Sequence, residues 1–466
     1  MNQGQAEIAR TLSFNKSQTK YSANIQQIFS KYSANIQQIF STMKYLITRL
    51  ATIVAGLLTL TYQPGSRDSF LSFSVTSSEE IASEIKMIDP DVTTIADGNN
   101  RFALDLYQHL SQTQGNLFFS PYSLSTALAM TYAGAAGQTA EEMADLLHFR
   151  LPSPAIHSAF SQLANLIALD KSAGYKLQIA NRLWGQQNYG FLASFMNLTQ
   201  EYYGSPFAEV DFQHQPDLAR DTINEWIAQK TEENIKDLIP EGVLNNSTRL
   251  VLTNAIYFEG NWLSPFQSQY TEENLFTTES GQQVIVPMMY QKNRFWYGSY
   301  DGVEVLRLFY VDYGLSMLIL LPNSLERLGQ LEQNLSVETL QPFINCADQE
   351  YMVELWLPKF KMTAEFDLKQ TLFQMGMATA FNPEAANFAG MNGNPGDLYL
   401  STVVHKAFLN VNEVGTEAGG ASGVIAASRS TAPTTTFRAD HPFIFLIQDN
   451  ESDSILFIGR LMNPLN

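Results

Sequence analysis

Cysteine is all but missing from this sequence: Cys346 is the one copy in 466 residues. An intramolecular disulfide and every cysteine-based zinc site are thereby excluded, and a lone cysteine is expected to serve as a small buried apolar residue. Charge is scarce as well. Only 16% of residues are charged, and 46 Asp and Glu against 28 Lys and Arg give a formal net charge of −18. That balance is a poor match to a phosphate backbone, so no nucleic-acid partner is expected. The six histidines (His109, His148, His157, His214, His405 and His441) never fall four apart, which removes the helical zinc-protease pattern. Gly420-Ala421-Ser422-Gly423-Val424 fails as a nucleophile elbow because Val424 stands where the second glycine is needed. No glycine loop for phosphate is present. The chain is not expected to be an enzyme, and no metal or cofactor is implied.

What is present is apolar: 45% of residues are hydrophobic and 12% aromatic, enough for a large core in one big domain or in two to three ordinary ones. The first 42 residues do not read as part of it. Lys20–Ser30 (KYSANIQQIFS) is repeated without change at Lys31–Ser41, and two copies are too few for a solenoid. Met43 then opens a different pattern. Lys44 and Arg49 precede an apolar run at Leu50–Leu60 (LATIVAGLLTL), and Gln63-Pro64-Gly65 ends it. A charged start, a short apolar run and a helix-breaking exit describe a secretory signal over residues 43–66. The run is shorter than the roughly 20 residues that span a bilayer, so no stable membrane anchor is expected. The expected product is secreted, extracellular or periplasmic. Residues 67–90 are Ser-rich and read as a linker, and residues 91–466 read as one domain of mixed helix and strand.

Within that domain Ser123–His148 carries Leu, Ala and Met at helical spacing, broken at Gly134 and Gly137. Thr139 is placed to cap a second helix, with Glu142 at the capping-box position. Asp221–Leu238 alternates Ile223, Trp226 and Ile227 with polar residues and predicts a helix stopped by Pro240. Strands are predicted at Leu250–Phe258, Leu315–Leu321, Met352–Leu357, Ala407–Val411, Phe443–Gln448 and Ile455–Arg460. Helices gather early and strands late, an α+β arrangement.

The 31 residues between Val411 and Phe443 have the wrong chemistry for an ordinary polar loop. After Glu417 the next charge is Arg429, and the residues between are mostly small. At strand spacing one face carries Thr416, Ala418, Gly420, Ser422, Val424 and Ala426, all small and uncharged. Such a segment can be buried as a strand, though its glycines weaken it there. Loops this long are usually functional. A flexible Gly/Ala/Ser linker is the alternative that composition leaves open.

Several blocks in this chain resemble those of the serpin family. Asn412-Glu413-Val414-Gly415-Thr416-Glu417-Ala418 resembles its reactive-loop hinge, and Asn116–Ser123 (NLFFSPYS) the start of an early helix. Thr248–Trp262 (TRLVLTNAIYFEGNW) is similar to its breach strand. Leu357–Phe360 (LPKF), Val404–Leu409 (VHKAFL), His441–Leu446 (HPFIFL) and Phe457–Pro464 (FIGRLMNP) match its later blocks in order. The resemblance implies three β-sheets, eight or nine helices and an exposed reactive loop. It also implies suicide inhibition: a serine protease cleaves the loop, and the loop inserts into the large sheet before the acyl-enzyme hydrolyses.

Family spacing puts the bait residue sixteen positions after Glu413, at Arg429, with Ser430 beyond the cut; a slip of one would make Ser428 the attacked residue. Arginine implies a trypsin-like serine protease as the covalent partner. Thr416–Arg429 would insert, fourteen residues spanning about 46 Å at roughly 3.3 Å each. The hinge comprises Glu413, Gly415, Thr416, Glu417, Ala418, Gly419, Gly420, Ala421 and Ser422. Gly419 and Gly420 replace alanines that the family prefers, which implies slower insertion. By the same resemblance Ser120, Ser123, Asn254 and His405 form the shutter under the sheet, Trp262 sits at the breach, and Glu413 pairs with Lys359. Only Lys171 and Lys176 lie on the stretch where some members bind heparin, so no heparin partner is expected, and the chain is expected to be a monomer. The alternative reading is a serpin that no longer inhibits and serves as a carrier, a chaperone or a protease substrate.

Overall fold

The computed structural model of the protein describes residues 88–168, 175–416 and 434–466. The expected leader (1–42), the signal-like segment (43–66) and nearly all of the expected linker (67–90) lie outside the described residues.

Asp89 caps the first helix, α1 (Pro90–Leu110), by accepting from the N–H of Asp91 at 2.9 Å, with Pro90 at the first helical position. The short strand β1 (Leu117–Phe119) leads into α2 (Pro121–Tyr132), capped by Ser120 and buried almost all round. The next helix, α3 (Gly137–Leu146), begins two residues before the expected cap. Thr139 lies inside it, and its Oγ1 accepts from the N–H of Asn387 at 3.0 Å, while Glu142 accepts from the N–H of Thr379 at 2.7 Å. The capping-box residues were committed to a neighbouring segment instead. Then follow α4 (Ser153–Ala168), β2 (Tyr175–Gln186), α5 (Ala193–Tyr203) and β3 (Ala208–Val210).

The helix predicted over 221–238 is α6, Pro216–Lys230. It ends where Oγ1 of Thr231 donates to Ile227 O and accepts from the N–H of Ile235, after which Glu232 and Glu233 take positive φ. Ile235, Leu238 and Ile239 remain buried with Ile223 and Ile227, so their apolar spacing records packing on a sheet and not helix.

The rest of the chain is mostly strand: β4 (Leu250–Asn261), β5 (Glu272–Thr277), β6 (Gln283–Tyr300), β7 (Val303–Phe309) and β8 (Leu315–Pro322), then α7 (Leu325–Gln333), α8 (Val337–Cys346), β9 (Glu350–Pro358), β10 (Phe360–Asp367), α9 (Lys369–Gln374) and α10 (Ala389–Asn392). Last come β11 (Leu400–Val411), β12 (Gly415–Thr416), β13 (Thr434–Arg438), β14 (Phe443–Asp449) and β15 (Ile455–Leu461). The α+β architecture is as expected. The three expected sheets, however, form two hydrogen-bonded ladders among the described residues. One has nine strands in the order β1-β15-β14-β8-β7-β6-β9-β13, with β5 on β6; the other has the order β10-β11-β4-β2-β3, with β12 on β4. The reason is β6, which runs unbroken past β5, β9 and β7 in turn and joins what would otherwise be two sheets. The described residues hold ten α-helices against eight or nine expected, because α9 and α10 are only six and four residues long.

Helix α2 packs against β2, β4 and β15, which places it between the two ladders. Its buried N-terminal turn therefore lies where both sheets meet the core.

Candidate functional site

In the smaller sheet β4 and β11 pair parallel, from Leu400 opposite Leu250 to Phe408 opposite Tyr257. Their outer partners, β2 and β10, run antiparallel to them. A strand inserted at this seam would be antiparallel to both neighbours and would replace a parallel ladder with two antiparallel ones, the slightly more stable kind. The first two residues of such a strand are already in place: β12 pairs antiparallel with β4, Gly415 opposite Asn261 and Thr416 opposite Gly260.

The seam is fastened from below by buried polar groups. His405 of β11 and Asn254 of β4 face each other in register, and the ring Nδ1 lies within hydrogen-bond reach of Asn254 Oδ1. The backbone N–H of Ser120 donates to His405 Nε2 at 3.2 Å, so Nε2 is the acceptor and Nδ1 carries the proton. Nδ2 of Asn254 donates to Ser123 Oγ at 2.7 Å and to Asn181 Oδ1. Asn181 Nδ2 returns a bond to Ser123 O at 3.1 Å, and Ser120 Oγ donates to Leu456 O at 2.7 Å. Burial alone pushes the His405 pKa down to about 3, so the ring is neutral in the closed sheet. Ser120, Ser123, Asn254 and His405 are thus brought together. Asn181, on β2, was missed. Its neighbours Gln178 and Arg182 are polar too, so nothing local in the sequence marks it out.

Above the seam the chain turns back through Asn412, Glu413 and Val414. Asn412 Oδ1 accepts from the N–H of Val414 at 3.0 Å, and the N–H of Asn412 donates to Gly415 O at 2.9 Å. Trp262 holds this turn from the side. Its indole N–H donates to Asn412 O at 3.0 Å, its backbone N–H to Val414 O at 2.9 Å, and its ring stacks on Tyr310 at 4.6 Å. Glu413 lies 2.8 Å from Lys359 Nζ and accepts from Thr271 Oγ1 at 2.8 Å. Burial works against its charge, but Lys359 and Thr271 outweigh it and hold the carboxyl below the usual carboxylate range. Gly415 has φ +149°, and a Cβ there would meet Gly260 O at 2.0 Å. No other residue fits that close approach.

The family model described as serpin (serine protease inhibitor) matches residues 97–464. The chain is a serpin. Among its relatives, the leukocyte elastase inhibitor of Homo sapiens is 40% identical over 79% of this chain and 99% of its own length. That of Sus scrofa is 42% identical over 78% and 98%. Among solved structures, human thyroxine-binding globulin superposes with a TM-score of 0.73 at 31% identity, covering 80% of this chain and 99% of that one.

Of the expected hinge, the described residues include Glu413, Gly415 and Thr416. Glu417, Ala418, Gly419, Gly420, Ala421 and Ser422, together with Arg429 and Ser430, lie outside the described residues, as does Lys171. Cys346 ends α8 half-buried, its Sγ donating to Phe343 O, and burial pushes the thiol pKa up. No group of three or more His, Cys, Asp or Glu side chains among the described residues is arranged to hold a metal ion, and no described helix is long and apolar enough to cross a membrane.

Proposed function

We propose that this serpin is a suicide-substrate inhibitor of trypsin-like serine proteases, attacked at Arg429–Ser430. The observation that carries the reading is the place of Glu413. It is anchored at the mouth of a parallel seam, with Gly415 and Thr416 already turned into that seam, and Arg429 follows it by sixteen residues. The protease serine attacks the carbonyl carbon of Arg429, an ester forms, and the amine of Ser430 leaves with a proton. Thr416–Arg429 then inserts between β4 and β11 and carries the acylated protease about 46 Å along the sheet before water reaches the ester. The leukocyte elastase inhibitors among its relatives are named for elastase, whose small specificity pocket suits small side chains. Arg429 suits a pocket holding an aspartate.

The partner is the protease alone, with no nucleic acid, heparin or cofactor, and the inhibitor acts as a monomer. The signal-like segment at 43–66 supports export, extracellular or periplasmic; amino-terminal sequencing of exported protein tests this, and a mature chain retaining Asn24–Phe40 would refute it. The target class is tested by Arg429→Leu. This change should abolish inhibition of trypsin and shift it toward chymotrypsin-like enzymes; undiminished trypsin inhibition would exclude Arg429 as bait. Gly419 and Gly420 support a second reading, a non-inhibitory serpin whose loop is cut without trapping the protease.

A further inference from the structure

Strand β13 begins five residues after Arg429, so it anchors the far end of the loop. It is an edge strand: among the described residues its one ladder partner is β9, with Thr434 opposite Met352 and Arg438 opposite Trp356. The turn that follows fastens its end. Arg438 Nε donates to Asp440 Oδ2 at 2.8 Å and its Nη2 to Asn274 Oδ1, on β5, at 2.8 Å, while the guanidinium lies 5.2 Å from the ring centre of Trp356. The N–H of Ala439 donates to Trp356 O at 3.0 Å, and that of Thr277 to Asp440 O at 2.8 Å. His441 then closes the turn. Its Nδ1 lies 2.9 Å from Asp440 Oδ1 and its Nε2 lies 2.8 Å from Pro322 O, at the end of β8. A carboxylate and a carbonyl oxygen only accept, so both bonds exist together only when both ring nitrogens carry protons. The geometry demands an imidazolium here, where at His405 it demands a neutral ring.

Burial opposes the charge on His441, but Asp440, Pro322 O and Glu304 of β7 outweigh it and raise the pKa. Asp440 is itself held below the usual carboxylate range by His441 and Arg438, against burial. Glu304 accepts from the Tyr297 hydroxyl at 2.6 Å, and Arg327 of α7 is paired with Asp301 at 2.7 Å. The other neighbours do not titrate: Asn274 and Thr277 of β5, Gln283 of β6, and Asn323, Ser324 and Leu325 at the start of α7. Together with Arg438, Asp440 and His441 they line a cavity of about 530 Å³, and the His441 side chain is 30% exposed, so its proton can exchange. We propose that His441 is a proton-operated positioning residue for the inhibitory reaction: as imidazolium it rivets the end of β13 to β8, and on losing its proton it loosens that end and the presentation of Arg429. A neutral ring keeps one of the two bonds and turns a lone pair toward the other oxygen. The clasp is complete below about pH 6.5, and its contribution is lost as pH rises through the raised value. The inference rests on the inhibitory reading proposed above.

The test holds the full chain without protease at pH 6 and at pH 9, then titrates samples against trypsin at one common pH. The wild-type chain should keep its inhibitory activity at least threefold longer at pH 6. His441→Gln, which cannot carry the charge, should be short-lived at both pH values, the two agreeing within twofold. His441→Arg holds a fixed charge and several donors, and should match the longer wild-type lifetime within twofold at both. A merely structural histidine would shorten both variants by one factor and leave the pH dependence intact. Equal wild-type lifetimes at the two pH values, a His441→Gln chain that keeps the wild-type pH dependence, or a His441→Arg chain as short-lived as His441→Gln would each overturn the proposal. If the wild-type chain never inhibits trypsin, it is the inhibitory reading that fails, and unfolding midpoints then decide on the clasp. The fall in midpoint from pH 6 to pH 9 should be larger in the wild-type chain than in His441→Gln, and equal falls would overturn it.

Discussion

The backbone N–H of Ser120 donates to Nε2 of His405, and this one bond decides which ring nitrogen holds the proton at the centre of the seam. An imidazolium would turn an N–H toward that N–H. The closed sheet therefore keeps His405 neutral, with its pKa lowered to about 3, while an opened or unfolded chain takes up a proton below about 6.5. The neutral ring neither adds to nor subtracts from stability above about pH 7. As pH falls from 6.5 toward 3 the closed form loses stability, by at most about 1.4 kcal/mol per pH unit from this group. Unfolding midpoints measured at pH 7.5, 5.5 and 4.5 check this: the fall with acid should be shallower in His405→Gln than in the wild-type chain.

Lys359 and Glu413 fix the turn from which the loop departs. Glu413 is only 13% exposed, but Lys359 is 36% exposed and screened by water, so Lys359→Met should cost about 1 kcal/mol of native stability. Because the Glu413 pKa is lowered, the pair stabilises above the usual carboxylate range and its contribution fades as pH falls through the lowered value. Denaturant titrations of both chains at pH 7 and pH 4 should show the difference shrinking with acid.

Gly415→Ala should be more damaging than an exposed glycine change. The added methyl would fall 2.0 Å from Gly260 O and 2.6 Å from the Asn261 Cα, so Gly415 and Thr416 must leave β4. The loss is about 1–3 kcal/mol. Hydrogen exchange at the amide of Trp262, which donates to Val414 O, reads it directly: faster exchange is expected, and unchanged protection would mean that Gly415 tolerates a side chain.

Asn181→Ala removes the amide that ties β2 to Ser123 and Asn254. It leaves buried partners unmatched and should cost about 1–3 kcal/mol, comparable with Asn254→Ala. Because the two amides share partners, the double variant should cost less than the sum of the singles in thermal unfolding.

The later strands were legible because their apolar runs are bounded by turn residues, as at Leu315–Pro322 and Phe443–Asp449. Strand β2 was not, since polar residues stand on both of its faces, Gln178 and Arg182 on one and Asn181 on the other, in place of an apolar stripe. Helix α6 was extended too far because Ile235, Leu238 and Ile239 continue its spacing for a tertiary reason, and the false cap at Thr139 has the same origin. Ser120, Ser123, Asn254, His405, Trp262 and Glu413 were found through block resemblance, not periodicity. Asn181 falls outside those blocks, and nothing local marks it as polar for a purpose.

The central claim is that one cut after Arg429 both traps the protease and drives the loop into the seam. The full chain incubated with trypsin, followed by denaturing electrophoresis and mass analysis of the released peptide, tests it most directly. A band near the summed mass that survives denaturant is expected, with a released peptide beginning at Ser430. A chain merely nicked, with trypsin still fully active, would contradict it.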